Sequence, residues 1–188
     1  MTGKLLLGGW LIVVMLGLAT LSLGHIAAMP GPEARLAREA LALRPAPGRS
    51  LFVHVISAGC TCTERLFSHL TQRARFQGAD EVVLFVGDDE AKRGAAERAG
   101  LGFVTTSAAE LSSRFGVDAA PLLIAFDAAG RLSYLGGYYN HPSTLFPLDE
   151  TIQTQLAQGA APKPLPVFGC AVSAQLQKSV DPLGIVYR

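Results

Sequence analysis

The sequence has few of the features that mark nucleic-acid-binding proteins, nucleotide enzymes or hydrolases. Its formal net charge is only +1, and its 16 Lys and Arg residues are nearly matched by 15 Asp and Glu residues spread along the chain. Without a basic stripe or an acidic tail, electrostatic binding of nucleic acid is not expected. The chain also lacks a Gly-rich phosphate loop, paired catalytic carboxylates and a Ser nucleophile turn, which argues against nucleotide and hydrolase chemistry.

Cysteine is also scarce, so the position of each one is informative. The 188-residue chain has three cysteines, and two of them stand one residue apart in "GCTCTE", residues 59–64. These two are Cys60 and Cys62, and the third, Cys170, lies far downstream. A pair this close is either a reactive centre or a pair of inert buried residues.

The longest apolar stretch lies near the N-terminus. Residues 5–28, "LLLGGWLIVVMLGLATLSLGHIAA", carry no formal charge, and a helix of this length would cross a bilayer core of roughly 30 Å. We therefore predict a single-pass membrane anchor at residues 1–28, with a cleaved signal peptide and a buried core helix as the alternatives. Lys4 precedes the stretch, whereas Arg35, Arg38 and Arg44 follow it, diluted by Glu33 and Glu39, so the count of basic residues does not support export of the C-terminal part. We favour export, because N-terminal anchors usually translocate a large domain that follows them.

The remainder of the chain alternates between strand and helix patterns. Residues 29–50 begin and end in Pro and Gly, which predicts a stalk, and residues 159–188 form a Pro-rich C-terminal extension with Cys170. Apolar runs within residues 51–158 predict strands at 51–57, 80–89 and 101–106, with helices at 61–76, 89–100 and 107–116. Further predicted elements are a hairpin at 120–139 and helices at 143–160 and 170–180. This order predicts an α/β fold with a mixed sheet and helices on both faces.

The local pattern around the first two cysteines predicts a helix start. Thr61 and Glu64 match the Thr-x-x-Glu capping box, which places Cys60 just before the helix and Cys62 in its first turn. Unsatisfied backbone N–H groups and the helix dipole favour an anion there, so a thiol in this place has a lowered pKa and more nucleophilic thiolate. This favours redox or thiolate chemistry over a pair of structural cysteines.

The sequence resembles the thioredoxin-like superfamily, in particular its membrane-tethered, exported branch. The resemblance rests on "LFVHVISAGCTC", a strand leading into cysteines at a helix start, and on "FGVDAAPLLIAFDAAGRLSYLGGY", which is similar to the segment that carries the superfamily's cis-proline, hairpin and trailing glycine. It implies a thioredoxin-like sandwich over about residues 50–158 that exchanges disulfides with protein partners. Cys60 matches the nucleophilic cysteine, Pro121 the cis-proline that shapes the substrate groove, and Ala120 the preceding residue, whose backbone pairs with a bound peptide.

The chain departs from the superfamily in its cysteine spacing, which is Cys-x-Cys rather than Cys-x-x-Cys. A bond between Cys60 and Cys62 would close a very small ring, which we expect to be strained and readily reduced. We predict that Cys60 is the attacking thiolate and Cys62 its first resolving partner. Cys170 has three interpretations: a resolving thiol that exchanges with Cys60 or Cys62, a structural bridge that pins the tail, or an unpaired thiol.

The histidines offer one further candidate. The second strand of the predicted hairpin runs back toward the cysteines and brings "GGYYNHPS" to the rim of the site, which makes His141 a candidate proton shuttle or ligand; the alternative is a solvated loop histidine. His54 lies inside the first strand and is expected to be a core histidine with satisfied hydrogen bonds. For His69 and His25 the sequence identifies no partner.

Three functional hypotheses remain. The first is a membrane-tethered thiol-disulfide oxidoreductase that acts on protein thiols or disulfides and needs no cofactor. The second is a metal-handling assembly factor, because the three thiols and His141 could hold Cu(I) or Zn(II). The third is a redox-inert binding module. A disulfide-active domain behind a membrane segment suits an oxidising compartment, so the expected location is a bacterial inner membrane with the domain facing the periplasm.

Overall fold

The computed structural model of the protein describes residues 2–26, 28–144 and 146–187. Its helices are α1 (Thr2–Ile26), α2 (Ala34–Ala37), α3 (Thr61–Gln72), α4 (Glu90–Arg98), α5 (Ala108–Phe115), α6 (Asp149–Ala157) and α7 (Ala174–Val180), and a 3₁₀ helix covers Arg38–Leu43. Its strands are β1 (Ser50–Ser57), β2 (Ala79–Val86), β3 (Gly102–Thr106), β4 (Ala119–Ala120), β5 (Leu122–Phe126), β6 (Leu132–Gly136) and β7 (Cys170–Ala171).

A five-stranded sheet in the order β3-β2-β1-β5-β6 forms the centre of the fold. Strands β1, β2 and β3 run parallel, β5 runs antiparallel to β1, and β6 pairs antiparallel with β5. The central strand β1 is buried along its interior, which explains why its sequence is a continuous apolar run. The strand–helix–strand unit β1-α3-β2, the hairpin β5-β6 and the closing helix α6 make up a thioredoxin-like α/β fold with a mixed sheet. The predicted fold of the domain is thus confirmed, but the transmembrane helix predicted in front of it is not.

Two apolar cores lie on opposite faces of this sheet, because successive residues of a strand point to opposite sides. Val53 and Val55 of β1 belong to the core that contains the buried residues of α5. Phe52 and Ile56 belong to the core that contains the buried residues of α3. Helices therefore cover both faces, as predicted.

The N-terminal stretch forms the single helix α1, whose apolar side chains, such as those of Leu5 and Trp10, are exposed. Within the part of the chain that the structure describes, no helix is long and apolar enough to cross a membrane. The predicted membrane anchor at residues 1–28 is therefore not supported. Residues 1 and 27 of that prediction lie outside the described residues.

The segment predicted as a stalk packs against the domain. Ala37 and Ala40 are fully buried in the same core as helix α5. Glu33 N donates to Gly116 O at 3.0 Å, and Met29 N donates to Val167 O at 2.8 Å. Residues 29–50 therefore form part of the folded body.

Two predicted helices are shorter in the structure. Helix α3 ends at Gln72 instead of residue 76, because Arg73 is extended and its guanidinium is drawn into contacts with Glu81 and Asp149. Helix α6 starts at Asp149 instead of residue 143. Before it, Leu148 N donates to Tyr138 O at 2.9 Å and so holds the preceding chain against the end of the hairpin.

The C-terminal extension also packs on the domain. Its residues 170 and 171, which were predicted to begin a helix, form the strand β7 instead. Val172 N and Ser173 N both donate to Asp118 O, at 2.7 and 3.2 Å, and keep the chain extended beyond β7. The Ser173 hydroxyl then accepts from Leu176 N and caps helix α7. The helix predicted at residues 170–180 is thus Ala174–Val180.

Candidate active site

The first two cysteines lie where β1 passes into α3. Gly59, which has a φ of +74°, makes the turn, a conformation that glycine adopts without strain. Helix α3 starts at Thr61 as predicted, with Cys60 at its N-cap position and Cys62 in its first turn. The turn is held by Thr63, whose N–H donates to Cys60 O at 2.9 Å and whose hydroxyl accepts from Ser57 N at 3.3 Å. The site is therefore built on a rigid strand-to-helix junction.

Cys60 forms a disulfide with Cys170, across 110 residues of sequence and with their Cα atoms 6.2 Å apart. Cys60 is buried, whereas Cys62 is a free, partly exposed thiol. The interpretation of Cys170 as an unpaired thiol is therefore wrong for this state, and the unpaired thiol is Cys62. A resolving role and a structural role for Cys170 are both compatible with this bond.

The segment around Pro121 lies beside the disulfide. The Ala120–Pro121 peptide bond is cis, as the resemblance implied. Cys170 pairs with Ala120 in the antiparallel ladder of β4 and β7. The preceding residue, Gly169, is packed so closely that an added Cβ would lie 2.6 Å from Pro121 Cδ. The structure thus brings Cys60, Cys170, Ala120 and Pro121 to one place.

A cleft of about 150 Å³ opens next to the free thiol. It is lined by Cys62, Arg65, Tyr139, Pro142, Thr144, Phe168 and Gly169. Three of these lining residues, Tyr139, Pro142 and Thr144, belong to the loop after β6. This confirms the prediction that the hairpin returns the chain to the rim of the site. His141 is not among the lining residues; it is exposed and its Nδ1 lies 2.7 Å from the Ser143 hydroxyl.

Tyr139 is a member of this site that the sequence did not single out. Its burial, together with the negative charge of Cys62 as a thiolate, raises the pKa of Tyr139 to about 12. The phenol therefore stays protonated at neutral pH and is a hydrogen-bond donor next to Cys62. Tyr139 lies in the stretch "GGYYNHPS" that the sequence predicts beside the cysteines, so that prediction applies to Tyr139 as well as to His141.

A buried polar network lies in the core on the α3 side of the sheet. His54 is fully buried, with Nδ1 2.7 Å from the Tyr138 hydroxyl and Nε2 3.3 Å from Glu81. Burial lowers the pKa of His54 despite the carboxylate beside it. Burial raises the pKa of Tyr138, so its hydroxyl donates to His54 Nδ1 and the neutral imidazole donates from Nε2 to Glu81. The prediction of a satisfied core histidine is confirmed.

The same network ties three elements together through charge. Arg73 donates to Glu81 of β2 at 2.5 Å and to Asp149 of α6 at 2.8 Å. His69, for which the sequence identified no partner, lies 2.9 Å from the other Asp149 oxygen. Burial of Glu81 opposes its ionisation, but hydrogen bonds from His54 and Arg73 outweigh burial and lower its pKa to about 2. The side chain of His25 lies outside those that the structure describes.

The metal hypothesis finds no ready site. Among the residues that the structure describes, no group of three or more His, Cys, Asp or Glu side chains is placed to hold a metal ion. Cys60 and Cys170 are joined to each other, and His141 is bonded to Ser143.

Known proteins support the assignment of the fold. No protein-family model matches the chain, and no curated protein is similar to it in sequence. An uncharacterized conserved protein from Geobacillus kaustophilus is similar in structure, with a TM-score of 0.54 and 18% identity, over 67% of this chain and 77% of the other. A hypothetical protein from Sinorhizobium meliloti 1021 gives a TM-score of 0.53 and 19% identity, over 79% of this chain and 91% of the other. At these identities the likeness shows the fold alone.

A structure described as an oxidoreductase has a lower TM-score than these two. A secreted disulfide oxidoreductase from Mycobacterium tuberculosis has a TM-score of 0.43 and 15% identity, over 60% of this chain and 83% of the other. A TM-score this low carries no argument about this chain. The case for its chemistry therefore depends on its own cysteines.

Proposed function

We propose that the protein is a thiol-disulfide oxidoreductase that acts on protein thiols or disulfides. The observation that carries the proposal is the grouping of all three cysteines at one helix start: Cys60 is bonded to Cys170, and Cys62, a free thiol, is two positions along the chain. A purely structural bridge would not require a third, partly exposed thiol beside it.

The proposed reaction is a two-step exchange that balances without a cofactor. A partner thiolate attacks Cys60 Sγ, the bond to Cys170 breaks, and Cys170 leaves as a thiolate that takes up a proton from solvent. A second partner thiolate then attacks the partner sulfur of the mixed disulfide and releases Cys60 as a thiolate. The partner has been oxidised by two electrons and the enzyme reduced to thiols at Cys60 and Cys170. The reverse sequence reduces a partner disulfide.

Cys60 is proposed as the cysteine that forms the mixed disulfide. It occupies the N-cap of α3, where unsatisfied backbone N–H groups and the positive end of the helix dipole stabilise a thiolate. Cys62 lies within the first turn and is proposed as a second resolving thiol, able to release a partner from Cys60 when Cys170 is displaced. Tyr139 lines the same cleft as Cys62 and is proposed to donate a hydrogen bond to its thiolate.

Cysteine variants of the full chain test the proposal with a disulfide-bonded peptide as substrate. Cys60→Ser should abolish exchange, because no mixed disulfide can form. Cys62→Ser should leave exchange in place where Cys170 resolves the intermediate, and Cys62→Ser combined with Cys170→Ser should trap the peptide on Cys60, detected by mass. Full exchange by Cys60→Ser with loss of bound copper or zinc would replace this proposal with metal transfer, and no exchange by the unaltered protein would favour a redox-inert module.

We also propose that the protein works outside the cytoplasm, at the outer face of a bacterial-type inner membrane. The Cys60–Cys170 disulfide supports an oxidising compartment. Tethering rests on the apolar sequence of residues 5–28 alone. A reporter fused after Arg188 tests the location: activity only of an export-dependent reporter is expected, and activity only of a cytoplasm-dependent one contradicts it.

A further inference from the structure

The C-terminal segment is bound next to Cys60 as a polypeptide strand. Cys170 lies opposite Ala120 and Ala171 opposite Ala119 in an antiparallel ladder. Beyond the ladder, Val172 N and Ser173 N donate to Asp118 O, as described above. The segment thus binds the domain through backbone hydrogen bonds, which any polypeptide could make. This pairing brings Cys170 to Cys60, with which it forms the disulfide.

The position just before that cysteine has no room for a side chain. A Cβ added to Gly169 would lie 2.6 Å from Pro121 Cδ and 2.7 Å from the carbonyl carbon of Ala120, closer than real Cβ atoms approach. Gly169 does not have a positive φ, so an alanine is excluded there by space rather than by backbone conformation. The obstruction is backbone and a proline ring, neither of which can rotate away as a flexible side chain would.

We propose that residues 169–172 are a built-in copy of the partner strand, and that the groove along Ala120 selects partner cysteines that directly follow a glycine. This deepens the proposed function and rests on it. A partner that forms a disulfide with Cys60 must bring its sulfur to the place now held by Cys170 Sγ. Its preceding residue then comes to the place of Gly169.

The built-in strand also competes with partners. Val172 is only 6% exposed and Ala171 only 3%, so the segment is held by apolar burial as well as by the disulfide. Attack on Cys60 Sγ releases Cys170 as a thiolate, but the strand leaves the groove only when the partner strand replaces its backbone pairing. The docked tail therefore slows partners that cannot make this pairing.

The test uses full-chain protein with Cys62→Ser and Cys170→Ser, which leaves Cys60 as the sole thiol. Two peptides, Phe-Gly-Cys-Ala-Val and Phe-Ala-Cys-Ala-Val, each carry a thionitrobenzoate joined to the cysteine by a disulfide. Cys60 thiolate attacks the peptide sulfur and expels the coloured thionitrobenzoate thiolate, so absorbance gives the rate and mass gives the adduct. Gly169→Ala in the same protein is expected to displace the tail, and Gly31→Ala, at a glycine with open space around it, is the matched control.

The glycine peptide should react at least about tenfold faster than the alanine peptide, which corresponds to a steric cost of about 1.4 kcal/mol for the added methyl group. Gly169→Ala should accelerate the glycine peptide by a similar factor, and Gly31→Ala should not. Equal rates for both peptides would overturn the glycine selection, and no acceleration by a folded Gly169→Ala protein would overturn the occupied groove. If Gly169→Ala fails to fold, the peptide pair on the Cys62→Ser, Cys170→Ser protein still decides the selection. No adduct with either peptide would overturn the proposed function itself.

Discussion

Glu81 is a carboxylate buried in an apolar core, where it accepts hydrogen bonds from three directions. Arg73, His54 and the backbone N–H of Phe76 all contact it. Burying a single charge would be costly, but the guanidinium and the imidazole compensate for the lost water. In the folded protein His54 is therefore neutral and Glu81 is ionised.

We predict that acid destabilises the protein in two windows. The lowered pKa of His54 means that its contribution to stability is complete above the usual value of 6.5 and is lost as the pH falls below it. The pKa of Glu81 is lowered from 4.5 to about 2, so its contribution is lost as the pH falls through that range. The second loss is on the order of 3 kcal/mol. Chemical denaturation at a series of pH values measures both.

Substitutions separate this effect from general acid unfolding. Glu81→Gln should reduce the loss of stability between pH 4.5 and about 2 by the share of Glu81, whereas Glu90→Gln, at a carboxylate whose side chain is 77% exposed, should leave that loss unchanged. A free energy of unfolding that stays constant from pH 7 to pH 3 in the unaltered protein would contradict the prediction.

At the residue scale, a site can be predicted from the sequence when its residues lie close together along the chain. Cys60 and Cys62 follow a strand and precede a helix, so their place at a helix start could be predicted. The network around Glu81 could not be predicted, because Arg73 and Asp149 come from different elements and meet only in the folded chain. His141 was predicted at the rim from strand direction, but direction does not determine which loop side chain faces the cysteines, and Tyr139 lines the cleft instead.

The elements of the domain follow from sequence periodicity, but their ends follow from tertiary contacts. The hydroxyl of Ser107, the N-cap of α5, accepts from Glu110 N at 3.1 Å, and a serine followed three residues later by a glutamate is the sequence pattern of a capping box. Helix α3 instead ends where the Arg73 guanidinium reaches carboxylates on β2 and α6. The strand β7 is two residues long and pairs with Ala119 and Ala120 of β4. Its position follows from this tertiary contact, and its own sequence predicted a helix instead.

One prediction concerns the linker between α6 and β7. It crosses Gly137 closely: Gly137 N donates to Leu165 O at 2.9 Å, and a Cβ added to Gly137 would lie 2.9 Å from the Pro166 carbonyl carbon and 3.1 Å from Val167 Cα. Gly137→Ala should therefore push the linker away and cost about 1–3 kcal/mol of stability. Reduction of the Cys60–Cys170 disulfide by dithiothreitol should also become faster, because the tail is held less tightly.

Denaturation and timed alkylation of the released thiols measure the two effects of Gly137→Ala. Gly31→Ala is again the control, since an added Cβ there meets nothing within 4 Å. Unchanged stability and an unchanged reduction rate in Gly137→Ala would show that the linker does not bear on this glycine in solution.

At the scale of the whole molecule, the segments that flank the predicted domain on both sides pack against it. Residues 29–50 and the C-terminal extension meet where Met29 pairs with Val167. The sequence predicted a stalk and an extension because Pro and Gly punctuate both segments, and such composition is typical of linkers. Composition alone does not show that small buried residues such as Ala37 and Ala40 pack residues 29–50 into the core that contains α5.

The disulfide closes a ring that contains nearly the entire domain, and this leads to a prediction about stability. Cys60 and Cys170 are 110 residues apart, and a cross-link over roughly 100 residues is expected to contribute about 4 to 5 kcal/mol through the entropy of the unfolded chain. Cys170→Ser should therefore lower the free energy of unfolding by about 2–5 kcal/mol. Cys62→Ser should change it little, because Cys62 is unpaired and partly exposed.

Adding a reductant should lower the stability of the unaltered protein and of Cys62→Ser but leave Cys170→Ser unaffected. Equal stability of all three proteins, with and without reductant, would show that the ring is not closed in the folded protein, and the Cys60–Cys62 bond would then be the disulfide to examine.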